Sequence, residues 1–320
     1  MTDPSAGERD DRADPDPRDE RIDPTASDRT DPDTTVTDDA STDATPAAEA
    51  AGIDSGEPTE SDGLGSPLRA VGTALGLGVL GIVFVLLSGL AVFGIGTAVG
   101  GLPLGVNVGL TLILGQYVAF GGLAVAYLSW RGFDRSGIVS YLGVRWPSLK
   151  EIGLVIGGWM LIIIMVMGIS VILSIIGTEG AANQSAELAM QNPAIIPLLF
   201  AASFLVIGPS EEVLYRGIVQ GRLRESLPAA PAIGIASAIF AAVHVIALTG
   251  GLQGRLTTIA VLFFPSLVFG AVYEYTENIV VPALLHGLHN AVIFTVLYVV
   301  IAYGDELEAL AEGGAALLPV

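Results

Sequence analysis

The sequence GPSEEVLYRG, residues 208–217, places two carboxylates and one guanidinium inside a long apolar run that begins near Pro193. A charge at the depth of a lipid bilayer is costly, so an ionisable residue in such a run is a functional hypothesis by default. Glu212 and Arg216 are four residues apart, so on a helix they share a face and can form an ion pair. Glu211 points about 100° away from Glu212, which leaves it to find partners elsewhere in the chain.

Seven apolar runs follow residue 66, and each is long enough to span a bilayer, which takes about 20 residues. They lie near residues 70–97, 107–130, 152–177, 194–220, 229–248, 256–273 and 279–302. The fourth run contains the motif. The pattern predicts an all-α fold, a polytopic transmembrane helical bundle of about seven spans, in contact with lipid in the cell membrane.

Basic residues collect at one end of these runs. Seven of them fall on one side of a seven-span chain, and Arg255 falls on the other; the seven are Arg69, Arg131, Arg135, Arg145, Lys150, Arg222 and Arg224. The positive-inside rule therefore predicts a cytoplasmic N-terminus and an external C-terminus. The segment 141–148 either lies at the lipid head groups, with Trp146 as an anchor, or is a plain connecting loop.

The first 62 residues contain 20 Asp and Glu but five Arg, and they have almost no large apolar side chains. Such a segment cannot bury enough surface to offset its ordering entropy. We predict a disordered acidic tail over residues 1–66 and a transmembrane domain over residues 67–320. Most of the net negative charge of the chain therefore lies in the tail. We predict no nucleic-acid partner. The chain has no cysteine, which excludes disulfides and thiolate catalysis.

Further polar residues in the fifth and seventh runs are candidate partners for Glu211. His244 lies in the fifth run, four residues after Phe240, and His286 and Asn290 lie four residues apart in the seventh. A single histidine in a span usually makes one structural hydrogen bond. At 1.5 Å per residue, however, the predicted topology places Glu211, His244, His286 and Asn290 roughly 10–20 Å from the cytoplasmic surface. A common depth favours one shared site.

This set of side chains suits hydrolysis of an acyl bond inside the membrane. Glu211 can take a proton from water, and His244 can hold or polarise that water. His286 and Asn290 can donate to a tetrahedral oxyanion. One glutamate and two histidines could instead bind zinc with an open position, although no His-Glu-x-x-His motif is present. We favour a metal-independent reaction without a cofactor.

The order of the three motifs resembles the CPBP family, the CAAX-processing and bacteriocin-processing membrane proteases, also called the ABI family. The motifs are Glu211-Glu212-x-x-x-Arg216, Phe240-x-x-x-His244 and His286-x-x-x-Asn290. The resemblance covers roughly residues 140–302 and implies an intramembrane endopeptidase of the glutamic type. It assigns the general base to Glu211, further site positions to His244, His286 and Asn290, and supporting positions to Glu212, Arg216 and Phe240. It also implies a membrane-associated or lipidated peptide or protein substrate.

Two other functions use the same residues. Buried glutamates and histidines also build proton relays in proton-coupled transporters, although no inverted repeat is visible between the two halves of this chain. A non-catalytic, immunity-type membrane protein that binds a peptide is the second alternative. Function that survives Glu211→Gln would favour the binding protein, because binding does not need a general base. Proton-dependent uptake into proteoliposomes that is lost in the same variants would favour the transporter.

Overall fold

The computed structural model describes residues 65–315, which are helical apart from connecting turns and an isolated bridge between Asn183 and Leu248. Within these residues, seven helices are long and apolar enough to cross a membrane: α1 (Gly65–Ala98), α2 (Leu104–Trp130), α4 (Leu149–Ile175), α6 (Pro193–Arg224), α7 (Ala229–Ala247), α8 (Leu252–Thr276) and α9 (Val280–Ala315). Two short helices, α3 (Arg135–Tyr141) and α5 (Gln184–Gln191), precede α4 and α6. The predicted all-α, seven-span fold is confirmed, whereas the predicted tail lies outside the described residues except for residues 65 and 66, which begin α1.

Helix α6 is the central helix of the bundle. Residues 214–220 are all buried, which requires neighbours on every side of the helix. Side chains of α1, α2 and α7 form one apolar cluster around Leu214 and Ile218. A second cluster joins α4, α8 and α9 through Ile162, Phe269 and Leu285. The motif that the sequence singles out therefore lies at the centre of the bundle.

The outer surface of the bundle is apolar, as a lipid-facing surface requires. Large side chains on α1 and α4 remain exposed, among them Leu87, Phe93, Ile164, Met167 and Ile175. On a water-soluble protein an exposed apolar surface of this extent would be an aggregation hazard. Together with the length of the helices, it identifies a multi-pass membrane protein.

Two glycines allow α6 and α9 to cross in backbone contact. A Cβ atom placed on Gly208 would lie 2.6 Å from the carbonyl oxygen of Ala283 and 3.2 Å from the nitrogen of Gly287. A Cβ atom on Gly287 would lie 2.9 Å from the carbonyl oxygen of Ser203. Backbone atoms cannot move aside as a flexible side chain can, so a larger residue would separate the helices. The crossing places the start of the GPSEEVLYRG motif next to His286.

The segment between α2 and α4 packs against the bundle and also reaches its surface. Leu142 is buried, and its carbonyl oxygen accepts a hydrogen bond from the backbone nitrogen of Ile279 at 3.1 Å. Gly217 of α6 provides the space for the Leu142 side chain. Trp146, by contrast, is 94% exposed. The segment is therefore more than a plain connecting loop, and the Trp146 side chain is free to lie among lipid head groups.

Ion pairs join the helix ends on the side where the basic residues collect. Glu225 pairs with Arg131 and Arg222, and Arg224 pairs with Glu274 at 2.7 Å. The hydrogen bond to Glu225 raises the pKa of the Arg131 guanidinium. These contacts neutralise part of the basic surface, but they leave Arg135 and Lys150 exposed at the same end. This end of the bundle is the predicted cytoplasmic side.

Gly287→Ala is expected to destabilise the protein, because the new methyl group would meet the backbone of α6. Overpacking of this kind costs about 1–3 kcal/mol, which exceeds the gain in helix propensity from Gly to Ala. Thermal unfolding in detergent should show a lower midpoint for Gly287→Ala. Gly304→Ala is the matched control, because Gly304 is on the same helix and has open space at its Cβ position. Equal midpoints for the two variants would contradict the close crossing.

The predicted orientation can be tested with single cysteines, since the chain has none of its own. In intact cells, a membrane-impermeant maleimide is expected to label a Glu179→Cys variant. It should label a Lys150→Cys variant only after the cells have been permeabilised. Both positions are exposed, so a difference in labelling reports the side of the membrane. The reverse pattern would invert the topology.

Candidate active site

Glu212 is completely buried and has partners on two helices. Its Oε2 atom accepts a hydrogen bond from Arg216 Nε at 2.9 Å, which is the ion pair that their spacing indicates. Its Oε1 atom accepts a hydrogen bond from His286 Nδ1, also at 2.9 Å. Each oxygen of the carboxylate therefore has a strong donor. Glu212 thus links the first and third motifs, a role that helical spacing within α6 does not reveal.

Arg216 is itself fully buried and is held from several directions. One terminal nitrogen donates to Ser266 Oγ on α8 at 2.8 Å. The guanidinium carbon lies 5.0 Å from the ring centre of Phe240 and 5.9 Å from that of Phe269, so the cation rests between two aromatic faces. Removing a charge from water costs several kcal/mol, and these contacts together with the Glu212 carboxylate offset that cost.

The two oxygens of the Glu211 carboxylate differ in their surroundings. Oε1 accepts a hydrogen bond from Gln116 Nε2 on α2 at 2.9 Å. Oε2 is buried without a hydrogen-bond partner in the described part of the chain, and it lies 3.9 Å from His286 Nε2. That separation is too long for a direct hydrogen bond. One oxygen of Glu211 is therefore occupied, while the other faces the histidine.

The His286 ring lies between the two glutamates. Its Nδ1 atom binds Glu212 and its Nε2 atom faces Glu211. Phe269 stacks on the ring at 4.9 Å with an interplanar angle of 17°, and Phe240 meets it edge-on at 5.8 Å. The orientation of the imidazole is set by these two rings and by the Glu212 carboxylate. The Nε2 atom is consequently directed at Glu211.

His244 is half-buried and lies where α7 tightens from an α-helix to a 3₁₀ turn. Its Nδ1 atom is 2.7 Å from the carbonyl oxygen of Phe240. A carbonyl oxygen can accept but not donate, so Nδ1 carries a hydrogen and Nε2 of the neutral ring is a free acceptor. The ring of Phe240 packs 4.7 Å from the His244 ring. Phe240 therefore contacts both histidines of the predicted site.

Asn290 follows His286 by one helical turn on α9 and is half-buried. Its side chain makes no hydrogen bond with other residues between 65 and 315, so its amide group remains free to bind a ligand. The structure brings together Glu211, Glu212, Arg216, Phe240 and His286 through direct contacts. His244 contacts this group through Phe240, whereas Asn290 lies one helical turn after His286 on α9.

Three residues of the site are missing from the sequence-based prediction. Gln116 comes from α2, while Ser266 and Phe269 come from α8. An uncharged polar residue in an apolar run is a weak signal, because serine and glutamine also occur in spans for structural reasons. Gln116 and Ser266 could have been noticed in this way, whereas nothing in the sequence distinguishes Phe269 from other aromatic residues.

No three histidine, aspartate or glutamate side chains between residues 65 and 315 are grouped in a way that could hold a metal ion. Glu211 Oε2 lies 3.9 Å from His286 Nε2, while the other imidazole nitrogen binds Glu212 Oε1 and Glu212 Oε2 binds Arg216. The zinc alternative therefore needs a rearrangement of these side chains, and a chelator experiment decides it.

The fold and the site define a polytopic membrane protein with a carboxylate and histidine centre buried among its helices. Residues 193–292 match the family model described as type II CAAX prenyl endopeptidase Rce1-like. The matched segment contains all three motifs, and it confirms the resemblance to the CPBP family that those motifs indicate. It supports a hydrolase of the CAAX-protease type. The chain matches no curated protein and no solved structure.

Arg216→Met is expected to lower stability by about 3–5 kcal/mol, because it leaves the buried Glu212 carboxylate without its ion-pair partner. Chemical unfolding in detergent measures the change. Arg222→Met is a matched control, since Arg222 is on the same helix and pairs with Glu225 near the surface. Such a pair is worth about 0–1 kcal/mol. If both variants lost a similar amount of unfolding free energy, the buried ion pair would contribute no more to stability than the surface pair.

Proposed function

We propose that this protein is an intramembrane endopeptidase of the glutamic type, in which Glu211 activates water against a peptide bond. The observation that carries the proposal is the asymmetry of the Glu211 carboxylate. Its Oε1 atom is held by Gln116, while its buried Oε2 atom faces His286. A carboxylate oxygen that is desolvated, unpartnered and directed at other catalytic side chains is suited to accept a proton.

In the first step, water donates one hydrogen to Glu211 Oε2 and the other to His244 Nε2. The hydrogen bond from His244 Nδ1 to the Phe240 carbonyl leaves Nε2 as the acceptor. With both hydrogens directed at acceptors, a lone pair of the water oxygen is free to attack the carbonyl carbon of the scissile bond. The proton moves to Glu211 as the new carbon–oxygen bond forms. General-base assistance of this kind contributes about 10²–10⁴-fold to the rate.

The attack places negative charge on the former carbonyl oxygen. The amide of Asn290 is free to donate to it, and it lies on the same helix as His286. When both His286 nitrogens carry hydrogen, Nδ1 donates to Glu212 and Nε2 can donate to the oxyanion. Each donor of this type is worth about 10²–10³-fold in turnover. Glu212 then acts by orienting the histidine, and Arg216 by holding Glu212.

Collapse of the tetrahedral intermediate breaks the carbon–nitrogen bond. Glu211 returns the proton it took from water to the leaving amine, so the carboxylate is restored and no net charge accumulates. The products are a new carboxyl terminus and a free amine. This cycle uses the residues of the site and water alone, and it requires no metal or cofactor.

The substrate we propose is a membrane-associated or lipidated peptide or protein. The site lies on helices whose outer surface faces lipid, and its side chains are buried within the bundle. A lipid-anchored peptide is held at the membrane surface, from which its polar segment can reach a site at this depth. A location in the cell membrane with the site open to the cytoplasm is consistent with the predicted topology.

Glu211→Gln is expected to reduce cleavage by at least about 10²-fold, because the amide cannot accept the proton from water. The assay uses purified protein in lipid with a farnesylated Cys-a-a-X peptide and its unprenylated counterpart, followed by mass spectrometry. Glu179→Gln is the control, as Glu179 is exposed and lies outside the site. Full cleavage by Glu211→Gln would disprove the assignment, and peptide binding without any cleavage by the wild type would favour the peptide-binding alternative.

Removal of metals is expected to leave cleavage unchanged. Purified protein is incubated with a strong chelator, passed into metal-free buffer and assayed with the same peptides. Loss of activity that zinc restores would replace the metal-independent mechanism with a zinc-dependent one. Measurement of bound zinc in the purified protein provides a readout that does not depend on the substrate.

A further inference from the structure

Gln116 brings a third helix into contact with the catalytic carboxylate. It lies on α2, 77 residues before the segment that matches the family model begins at residue 193. Its Nε2 atom donates to Glu211 Oε1 at 2.9 Å. Its Oε1 atom is 2.9 Å from the hydroxyl of Ser210, the residue that precedes Glu211. The amide thus bridges two neighbouring side chains at the start of the motif.

The chemistry of these neighbours determines which way the amide points. An ionised carboxylate can accept hydrogen bonds but cannot donate them, so the amino group of Gln116 must face Glu211. The carbonyl group then faces Ser210, whose hydroxyl can donate to it. That hydroxyl also lies near the carbonyl oxygens of Val206 and Ile207, so its single hydrogen is shared. The bond to Glu211 is therefore the principal interaction of the amide.

The local backbone around Gln116 is unusual. Residues 113–121 form a π-helical segment within α2, and residues 213–220 form another within α6 immediately after the two glutamates. Such segments are rare, and they occur frequently at functional sites. Both helices that contribute to the bond between Gln116 and Glu211 are thus widened close to it. This feature separates Gln116 from an ordinary polar residue within a span.

We infer that Gln116 is a positioning residue for the general base, an inference that rests on the proposed function. The two oxygens of a free carboxylate are equivalent, and rotation of the side chain exchanges them. By holding Oε1, Gln116 directs Oε2 towards His286 and the scissile bond. The residue does not touch the reacting atoms. It acts through Glu211, by keeping one oxygen in a fixed place.

The test compares Gln116→Leu and Gln116→Glu with the wild type in the peptide-cleavage assay. Leucine keeps most of the volume but cannot donate, and an ionised glutamate keeps the shape but presents an acceptor to Glu211. Misplacement of a catalytic group by about 1 Å costs roughly 100-fold. We expect kcat to fall about 10–100-fold in both variants, with KM changed less than about threefold. Thermal unfolding should show that both remain folded.

Ser88→Ala is the matched control. The Ser88 hydroxyl donates to the carbonyl oxygen of Leu114 on α2 at 3.1 Å, so its loss weakens the attachment of the same helix without touching the site. Its kcat is expected to stay within about twofold of the wild type. A wild-type kcat in Gln116→Leu would overturn the inference. An equal fall of kcat in Ser88→Ala would assign Gln116 to helix packing, and a change of KM without a change of kcat in the Gln116 variants would assign it to substrate binding. Either result would also overturn the inference.

The Glu211→Gln variant, assayed in parallel, distinguishes failure of this inference from failure of the proposed function. Cleavage that depends on Glu211 but not on Gln116 rejects the positioning role and leaves the proposed function standing. Cleavage that survives Glu211→Gln rejects both, because there is then no glutamate base to position. The result that supports both is loss of turnover in Glu211→Gln together with a partial loss of kcat in the two Gln116 variants.

Discussion

The Glu212 carboxylate is removed from solvent, and its two oxygens are shared between Arg216 and His286. An ionised carboxylate without partners in apolar surroundings is so unfavourable that it would take up a proton instead. The bundle therefore depends on keeping both partners in place. A shift of α9 by one turn, about 5.4 Å, would carry His286 away from Glu212. The interaction thus specifies the register between α6 and α9 as well as the position of the His286 side chain.

That register is possible because both helices have a glycine where they meet. Gly208 and Gly287 bring the backbones close enough for Glu212 and His286 to form a direct hydrogen bond. The same crossing puts Glu211 and His286 within 3.9 Å of each other. Close packing and electrostatics act together here: the glycines permit the approach, and the buried carboxylate selects one arrangement among those that the glycines allow.

The polar contacts between α6 and α8 extend beyond the site. Arg216 reaches Ser266, Gln220 reaches the carbonyl oxygen of Gly270, and Arg224 reaches Glu274, each pair one turn further along both helices. This row of contacts runs from the buried centre to the end of the bundle where the basic residues collect. It holds α8 against the central helix with hydrogen bonds, which remain strong where water is absent.

Much of the site could be predicted from its sequence because the motifs are local. The spacing of four residues places Glu212 and Arg216 on one face of a helix, and it does the same for His286 and Asn290. The contacts of Gln116 and Phe269 could not be predicted in this way. Gln116 and Glu211, for example, are 95 positions apart in the chain. Sequence spacing does not show which faces of two separate helices meet.

The amino-acid sequence by itself determined the number of spans, the position of an ionisable motif within one of them and the residue types available for chemistry. Those properties follow from hydrophobicity and helical periodicity, which act over one or two turns. Only the tertiary structure decided that Glu212, besides pairing with Arg216, also binds His286, and that Glu211 is held by Gln116. The physical reason is that partner choice depends on how close two helices approach. That distance is the result of packing throughout the bundle.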